Sequence, residues 1–481
     1  MSALGAGVTM PTAMSLASRA EARAPKPGGR LRYGTGFGSV TDSLDPGFAA
    51  NQMTVAMAFA RGNCLVEVSR KGELVPELAR GFEVSESGRR WAFELRRGVS
   101  FHDGRPLTVG DVVATLCHHR RGPSSAANLL AEVADIRAEG ESRIVIDLDA
   151  PNFDFAWRLA DHRLIVLPAR DGGVDPLTTN GTGGYALTGF EPGRRATFRR
   201  NTGYWKAGAA HFDEVEIVSL QDTGLRQNAV MAGDVDVIDA VDPRAVALLG
   251  RVPTLEILEV EGGQHYTLPM RLDANPFGNT DLRLALKHAI RREELVERVL
   301  LGHGSAGNDV PVRGFSGLPE HGYDPERSAF HLRRSGHSGP LQLSVDRHAF
   351  PGAVETARLV AASAREVGIT VEVSTGTTAL GWSASCGTAR PSPDWMAAVA
   401  LNLQDGNLGP LMAAARAEAD AGRRDALYRE AFGRVQRDGG GIVAMWANDL
   451  HAHTRKLAHD PMVGTDRRAD GGRIAERWWF A

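Results

Sequence analysis

Paired histidines stand at two places in the chain where they could bind a metal ion. His118 and His119 are adjacent, whereas His451 and His453 are two residues apart, a spacing that puts both side chains on one face of a strand. Neutral imidazole is a common metal ligand in proteins. Neither pair has a third and a fourth ligand at a recognisable spacing, so the sequence predicts no metal site and no cofactor.

Two further patterns match catalytic or nucleotide-binding motifs only in part. His102 and Asp103 are adjacent and could act together as a general base. Residues 302–307 fit the pattern G-x-G-x-x-G, but they follow a predicted helix, whereas a dinucleotide site requires a preceding strand and a following helix. The G-x-S-x-G and H-E-x-x-H motifs of hydrolases are absent from the sequence. A hydrolase is therefore a remote alternative.

Length and composition narrow the class of protein. The 481 residues exceed the size of one hydrophobic core, so two or three globular units are expected. A net charge of −3 supplies no basic field for nucleic acid. The three cysteines, Cys64, Cys117 and Cys386, show no C-x-x-C spacing and are predicted to be small buried hydrophobic residues.

The first residues resemble a bacterial export signal. Residues 3–18 are small, uncharged and mildly apolar, and A-x-A cleavage sites occur at residues 20–22 and 22–24. Weak hydrophobicity of this kind is typical of the twin-arginine route, although no basic segment precedes the apolar run. We expect residues 1–26 to be an export-signal remnant and a linker, which predicts a periplasmic protein.

Local sequence patterns predict alternating strands and helices after this segment. Residues 340–345, 353–367 and 369–373 predict a β-α-β unit with parallel strands. A final strand is predicted over residues 474–480. Apolar residues recur at helical spacing in four segments: 51–66, 108–119, 281–300 and 411–437, the last interrupted near Gly422.

Several short motifs follow one another along the chain. Each is a weak signal alone, but together, in this order and spacing, they are specific for one family. They are SLDP (43–46), LVPELA (74–79), FELRRGVSFHDGRPLT (93–108), GTGGY (181–185), NTGYW (201–205), DLRLALKHAIRREELVERVLLGHG (281–304), YDPERS (323–328) and RDALYREAFGRVQRDGG (424–440). Together they resemble the family of extracytoplasmic solute-binding proteins that deliver peptides, nickel complexes and opines to ABC importers. The resemblance covers nearly all of the chain after residue 29.

This resemblance implies an α/β, two-lobed periplasmic-binding-protein fold, type II-like, with an extra subdomain in the first lobe. We expect lobe I at residues 27–264 and 447–481, the inserted subdomain at about 47–174, and lobe II at residues 265–446. The chain would cross between lobes near 262–268 and 446–452. A ligand would bind between the lobes and be buried when they close.

The implied function is capture of a short peptide or peptide-like compound, without catalysis. The expected partner is an inner-membrane ABC permease complex, and the protein is expected to be a monomer that binds no nucleic acid. The alternatives are a binder of an opine, a metal chelate or another anionic small molecule, and a sensor that feeds no permease. In the family the corner at His102 and Asp103 is structural.

Candidate ligand-binding residues lie in two loops. Glycines bring the backbone close to the cleft after the first strand, and we expect Gly36, Phe37, Gly38 and Ser39 to contact the ligand. The family places ligand-facing side chains in the loop that is here residues 384–395. Close relatives carry an aromatic residue where Gly387 falls, and peptide binders often carry an Asp that pairs with the ligand's amino terminus.

In this chain the loop's prominent charge before Asp394 is Arg390, which would suit a carboxylate or a phosphate. A salt bridge between Arg390 and Asp394 is an equally good interpretation. Trp382, Cys386 and Gly387 complete the predicted ligand-binding set. For Trp382 and Trp395, burial in a lobe core is the alternative to stacking on the ligand.

Overall fold

The computed structural model describes residues 24–313, 317–347, 349–376, 381–399 and 408–481, so the segment of the predicted export signal before residue 24 lies outside the described residues. The strands are β1 (Arg30–Thr35), β2 (Val66–Val68), β3 (Leu74–Pro76), β4 (Ala79–Val84), β5 (Arg90–Leu95), β6 (Val133–Glu139), β7 (Arg143–Leu148), β8 (Ala169–Arg170), β9 (Gly173–Val174), β10 (Tyr185–Glu191), β11 (Arg195–Arg200), β12 (Glu214–Ser219), β13 (Val237–Ile238), β14 (Leu255–Thr267), β15 (Gly304–Ala306), β16 (Leu341–Val345), β17 (Val371–Thr375), β18 (Ser385–Thr388), β19 (Val443–Thr454), β20 (Leu457–Ala458) and β21 (Trp479–Phe480).

Helices alternate with these strands through most of the chain. They are α1 (Gln52–Arg61), α2 (Val109–Arg121), α3 (Thr223–Ala232), α4 (Val246–Leu249), α5 (Thr280–His288), α6 (Arg292–Val299), α7 (Pro325–Ser335), α8 (Ala353–Glu366), α9 (Pro393–Val399), α10 (Leu408–Ala417) and α11 (Ala421–Asp438), with a last helical turn at Ile474–Arg477. Short 3-10 turns include one at Phe155–Ala160.

One mixed sheet of nine strands runs through both halves of the protein. Its order is β10-β11-β12-β1-β13-β19-β14-β18, and β15 pairs with β19. β1 lies parallel to β12 and β13, which is typical of strands joined by crossover helices. β14 and β19 are the long members, and they pair antiparallel from Leu255 opposite Thr454 to Thr267 opposite Val443.

Separate hydrophobic cores lie at the two ends of β14 and β19. The first core contains Leu31, Tyr33 and Trp478, which pack beneath α1 and the first strands of the sheet. The second contains Tyr266 and Trp382 together with the buried faces of α5 and α8. Each core forms one lobe, and the lobe limits at residues 264 and 446 stay a prediction.

An additional antiparallel sheet, ordered β4-β5-β7-β6, packs against α2 within the first lobe. We call this part the inserted subdomain; it lies within the predicted range of about residues 47–174. Its core contains the aromatic side chains of Trp91 and Phe93, whose rings are 6.2 Å apart. Thr108 and Asp111 form the predicted capping box at the start of α2, with Thr108 Oγ1 2.7 Å from Asp111 Oδ2.

The predicted β-α-β unit is confirmed, because β16 and β17 are parallel and are joined by α8. The predicted single helix over residues 281–300 is wrong, since the chain breaks between α5 and α6. Arg292 turns inward at the break, where it binds Asp309 at 2.7 and 2.9 Å and donates to the free carbonyl of Lys287 at 3.0 Å. These buried contacts override the continuous helical pattern.

Three other predicted boundaries are also wrong. The predicted helix over 51–66 ends at Arg61, because residues 66–68 form β2. Gly422 lies inside α11, and the interruption falls at residues 418–420, where the Asp420 side chain caps the helix by accepting from the Arg423 amide at 2.8 Å. The predicted strand over 474–480 begins with a helical turn, which directs Glu476 towards the buried cations Lys206 and Arg473.

Candidate functional site

A cavity of about 350 Å³ opens between the lobes beside β14 and β19. The lining comes from both lobes: the loop after β1, the start of α1 and residues 467–468 on one side, and β14, β18 and residues 349–351 on the other. The lining residues are Phe37, Ala50, Asn51, Gln52, Val55, Ala240, Val241, Pro243, Gln264, Tyr266, Leu300, His303, Ala349, Phe350, Pro351, Cys386, Thr388, Ala447, Asn448, Leu450, Arg467 and Arg468.

Aromatic side chains face this cavity from both lobes. Tyr266 and Phe350 stack with their ring centroids 4.1 Å apart and their planes at 11°. On the other lobe Phe37 is 36% exposed, which is unusual for a phenylalanine and leaves its ring available to a ligand. The cavity therefore combines apolar walls with a few polar groups, as small-molecule sites commonly do.

Arg468 is the best-defined charged group of the cavity wall. Its guanidinium carbon lies 5.3 Å from the centroid of the Phe37 ring, and Nη2 donates to the side-chain oxygen of Gln264. The nearest carboxylate is that of Asp449, with Nε 3.8 Å from Oδ1. No hydrogen bond joins Nη1 to any residue in the described part of the chain. Nη2 of the guanidinium is thus held by Gln264, whereas the Nη1 donors are available to a ligand.

A strained turn presents Arg467 and Arg468 to the cavity. Ala469 (φ 55°, ψ 54°) and Asp470 (φ 56°, ψ 53°) adopt the left-handed conformation, which costs a non-glycine residue ~1–2 kcal/mol. The turn is fixed by the buried Asp470 carboxylate, which accepts from the Gly464 amide at 2.8 Å and from the Trp478 indole at 3.2 Å. Strain of this kind persists only where surrounding contacts determine the backbone, and it is common at binding sites.

Two buried carboxylates lie behind Arg468. Burial raises the pKa of Asp449 to about 6, since desolvation penalises the carboxylate more than the nearby Arg468 stabilises it. Gly262 allows this packing, because a Cβ at this position would lie 2.6 Å from Asp449 Oδ2. The other carboxylate, Asp239, is satisfied by the Tyr33 hydroxyl at 2.7 Å and by the amide of Gly36 at 2.9 Å.

Of the four residues predicted in the first loop, one lines the cavity and three do not. Phe37 lines the cavity. Gly36 does not, and its backbone N–H donates a hydrogen bond to the Asp239 carboxylate at 2.9 Å. The carbonyl of Gly38 accepts from the Gln221 side chain, and the amide of Ser39 donates to Asp42 at 2.8 Å. Gly36, Gly38 and Ser39 do not line the cavity, and their direct contact with a ligand stays a prediction.

The residues predicted in the second loop are divided in the same way. Cys386 lines the cavity, and burial raises the pKa of its thiol. Gly387 packs on the ring of His265, where a Cβ would lie 2.5 Å from Nε2. Trp382 is fully buried in the second lobe's core, and its indole donates to the Leu268 carbonyl at 3.1 Å.

Arg390 also lies apart from the cavity lining. Its guanidinium carbon is 5.4 Å from the centroid of the Trp395 ring, and its Nε and Nη1 atoms have no hydrogen-bond partner among the described residues. Burial and the nearby Arg467 lower the pKa of Arg390 to about 9. Asp394 is paired with other arginines, so the alternative salt bridge to Arg390 does not form.

The histidines that could have done chemistry have structural partners. His102 joins the corner to the G-T-G-G turn, with Nε2 3.0 Å from the Gly183 carbonyl oxygen. His451 Nε2 accepts from the amide of Ala469 at 3.1 Å, and this bond helps to hold the strained turn. Among the described residues, three carboxylates could hold a metal ion as a group: Glu67, Glu77 and Glu476. Their centre is taken by Lys206, whose Nζ lies 2.7–2.8 Å from all three.

Sequence reasoning missed Arg467, Arg468 and the cavity-facing side of β14. A signal was present in the segment R-R-A-D-G-G at residues 467–472, where two cations precede a turn-forming Asp-Gly-Gly. Without the fold, nothing in that segment shows that the turn closes against the loop after β1.

A two-lobed α/β protein with a ligand-sized cavity at the crossing strands is a binding protein of the periplasmic type. The model of a family described as "Bacterial extracellular solute-binding proteins, family 5 Middle" matches residues 73–406, and the chain belongs to this family. Members of this family are extracytoplasmic, and they bind solutes rather than convert them. The resemblance seen in the motifs is thereby confirmed.

Individual relatives are distant in sequence. The chain is 24% identical over 315 residues to the glutathione-binding protein GsiB of Salmonella choleraesuis, a match that spans 62% of this chain and 60% of GsiB. It is 22% identical over 340 residues to the dipeptide-binding protein of Escherichia coli, spanning 63% of each chain. These matches therefore leave more than a third of each relative uncovered.

Solved structures confirm the fold. The agropinic acid complex of AgaA from A. tumefaciens R10 superposes with a TM-score of 0.81 at 22% identity, covering 94% of this chain and 99% of AgaA. DppA from Helicobacter pylori with the peptide STSA gives the same TM-score at 17% identity, covering 94% of this chain and 99% of DppA. Within the described residues, no helix has the length and apolar character needed to cross a membrane.

Proposed function

We propose that this protein captures a peptide-like or other amino-acid-derived compound between its lobes and delivers it to an inner-membrane ABC importer. The carrying observation is the cavity of about 350 Å³ at the two crossing strands, walled by aromatic side chains of both lobes. Only a ligand that contacts both lobes can shift the balance from open to closed.

The named ligands of the relatives support this class of compound. Glutathione, a dipeptide, agropinic acid and the peptide STSA are all built from amino acids and all carry carboxylates. An opine or a metal chelate is the alternative ligand in this proposal, since NikZ from Campylobacter jejuni, which shares the fold at a TM-score of 0.81, was solved with Ni(L-His). A sensor that feeds no permease is the remaining alternative.

We propose further that the protein acts in the periplasm as a monomer, that it binds no nucleic acid, and that it is exported by the twin-arginine route. In this proposal Phe37 and Cys386 contact the ligand directly. Gly36, Gly38, Ser39, Trp382, Gly387 and Arg390 stay in the proposed ligand-binding set, although they do not line the cavity.

Native mass spectrometry of protein purified from its own host tests this function. We expect one amino-acid-derived compound per chain, released on denaturation and unchanged in mass after incubation with fresh protein. The same compound should drive ATP hydrolysis by the cognate importer in proteoliposomes. Conversion of the compound to a product would overturn a binding function, and binding without stimulated ATP hydrolysis would favour a sensor.

A further inference from the structure

We propose that Arg468, supported by Arg467, forms a subsite for a carboxylate of the ligand, and that the ligand is an anionic amino-acid derivative. This inference rests on the proposed solute-binding function and specifies its ligand class. It assigns the charged contact to the turn at residues 467–470 rather than to the loop that carries Arg390.

The charges around the cavity support an anionic ligand. Among the described residues that line it, two are arginines and none is Asp or Glu. Asp449 and Asp239 lie behind Arg468 and are almost fully buried, at 3% and 0% exposure, so they do not offer an acidic surface to the ligand. The carboxylate next to these lining residues, that of Glu259, already accepts from Asn448 at 2.7 Å and lies 3.0 Å from His303 Nδ1, whereas a ligand carboxylate would find a guanidinium in the lining itself.

The geometry of Arg468 is pre-organised for this contact. The Phe37 ring, the Gln264 side chain and the Asp449 carboxylate hold its guanidinium on three sides. The Gln52 side chain donates to the Arg468 carbonyl at 3.3 Å and fixes the backbone at the same residue. Because the side chain is already ordered, binding costs little of the rotamer entropy that a free arginine would lose.

Arg467 stands beside Arg468 with part of its hydrogen-bonding capacity in use. Its Nη2 donates to Asp161 at 3.3 Å, and no other hydrogen bond from its guanidinium is formed to the described residues. Asp161 also binds Arg163 at 2.7 Å, so its charge is shared between two arginines. Arg467 therefore keeps guanidinium donors that the described residues do not use.

Calorimetric titration with matched acids and amides tests the subsite. The probes are Gly-Ala and N-acetyl-Gly-Ala, each compared with its C-terminal amide, together with glutathione and whatever compound co-purifies. We expect the acids to bind more tightly than the amides and N-acetylation to cost nothing. Arg468→Gln should weaken the acids by about 10- to 100-fold, since it removes a charged hydrogen bond, and should leave the amides unchanged.

Arg455→Gln is the matched control, because Arg455 lies in the same C-terminal segment but is 60% exposed and does not line the cavity. Equal affinity for acids and amides, or full affinity of Arg468→Gln for the acids, would overturn the anion subsite while leaving solute binding intact. If neither the probes nor any co-purifying compound bound, the proposed function itself would fall.

We also infer that ion pairs between the inserted subdomain and α9–α11 hold the lobes together as a second connection besides the crossing strands. Arg158 of the subdomain binds Asp394 of α9 through two bonds of 2.6 Å, and both side chains are buried. Arg416 binds the same Asp394 at 2.5 Å and Glu132 of the subdomain at 2.7 Å.

Neighbouring contacts extend this connection. Tyr428 of α11 donates to Asp154 of the subdomain at 2.8 Å. Trp395, adjacent to Asp394, is 1% exposed and packs within the hydrophobic core of the inserted subdomain. Since β18 supplies Cys386 to the cavity and α9 follows it directly, the cavity wall and this connection belong to one continuous segment.

Small-angle scattering and acrylamide quenching of the ligand-free full chain test the connection. Quenching of Trp395 is obtained by comparing each protein with its Trp395→Phe counterpart. We expect Asp394→Asn to enlarge the radius of gyration and to expose Trp395, because breaking a buried pair leaves uncompensated charge. Glu132→Gln, at the partly exposed end of the cluster, should do the same more weakly.

Glu366→Gln is the control, since it removes an exposed ion pair with Arg291 inside the second lobe. Far-UV circular dichroism establishes that each variant is folded, and Glu132→Gln carries the test if Asp394→Asn is not. Unchanged scattering and quenching in the folded variants, or equal changes in the Glu366→Gln control, would overturn the inference.

Discussion

The largely buried ammonium group of Lys206 is compensated by three carboxylates within hydrogen-bonding distance. Its Nζ contacts Glu67, Glu77 and Glu476, and Arg473 adds a second cation that binds Glu77 at 2.8 Å. Glu67 lies in β2 and Glu77 directly follows β3 of the same hairpin, and Glu476 comes from the last helical turn. This cluster therefore ties the inserted subdomain and the C-terminal turn to the loop that carries Lys206.

We expect Lys206→Met to lower the free energy of unfolding by about 3–5 kcal/mol, because it removes the cation that pairs with all three carboxylates, two of which are buried. Urea denaturation followed by circular dichroism measures this change. The exposed Lys71 offers the matched control, and Lys71→Met should alter stability by less than about 0.5 kcal/mol. Similar stability of the two variants would show that the cluster contributes little.

The turn at residues 467–470 is the element that local sequence patterns indicated least. Positive φ is usual for Gly471 and Gly472, but here the left-handed conformation begins two residues earlier, at Ala469 and Asp470. The reason is tertiary, since the bonds of Asp470 to Gly464 and to Trp478 link positions that have no local pattern in common.

Substitutions at Ala469 separate strain from packing in this turn. Ala469→Gly should leave the protein as stable or raise the free energy of unfolding by up to about 1 kcal/mol, because glycine adopts positive φ freely. Ala469→Val should lower it by more than about 2 kcal/mol, since the β-branched side chain resists this conformation at a fully buried position. Thermal unfolding measures both, and a destabilising glycine would argue against backbone strain.

Local patterns predicted those elements whose partners are near in sequence. The β16-α8-β17 unit and the Thr108–Asp111 capping box were predictable because their contacts follow directly from periodicity and capping chemistry. The break between α5 and α6 was not, because it depends on Arg292 reaching Asp309. At the site, the glycines around Phe37 predicted a loop that contacts the ligand. Arg468 could not be predicted in the same way, because only tertiary packing brings it into the cavity lining.

Buried histidines set the response of the whole molecule to acid. Burial lowers the pKa of six of them to about 4: His119, His162, His265, His288, His451 and His453. In the unfolded chain these pKa values return to about 6.5. Between about pH 6.5 and 4 the unfolded chain therefore binds more protons, and stability falls as the pH falls.

We expect the Tm to drop on the order of 5 °C or more between pH 7.5 and pH 5, as measured by differential scanning calorimetry. Asp449 opposes this trend, because its raised pKa of about 6 lets the folded protein take up a proton in the same range. Burial also raises the pKa values of Asp154 and Asp466, which act in the same direction as Asp449, but the six histidines outnumber these three groups and should prevail. A Tm that holds steady or rises at pH 5 would contradict this account.

The pairing of β14 with β19 has a mechanical consequence. Two antiparallel strands of 13 and 12 residues run side by side between the lobes, so a force pulling the lobes apart along them is carried by two polypeptide backbones at the same time. Bending the ribbon out of its plane breaks none of the hydrogen bonds between the strands. The β14–β19 pair is thus stiff to stretching and compliant to bending, which suits lobes that open and close while they stay connected.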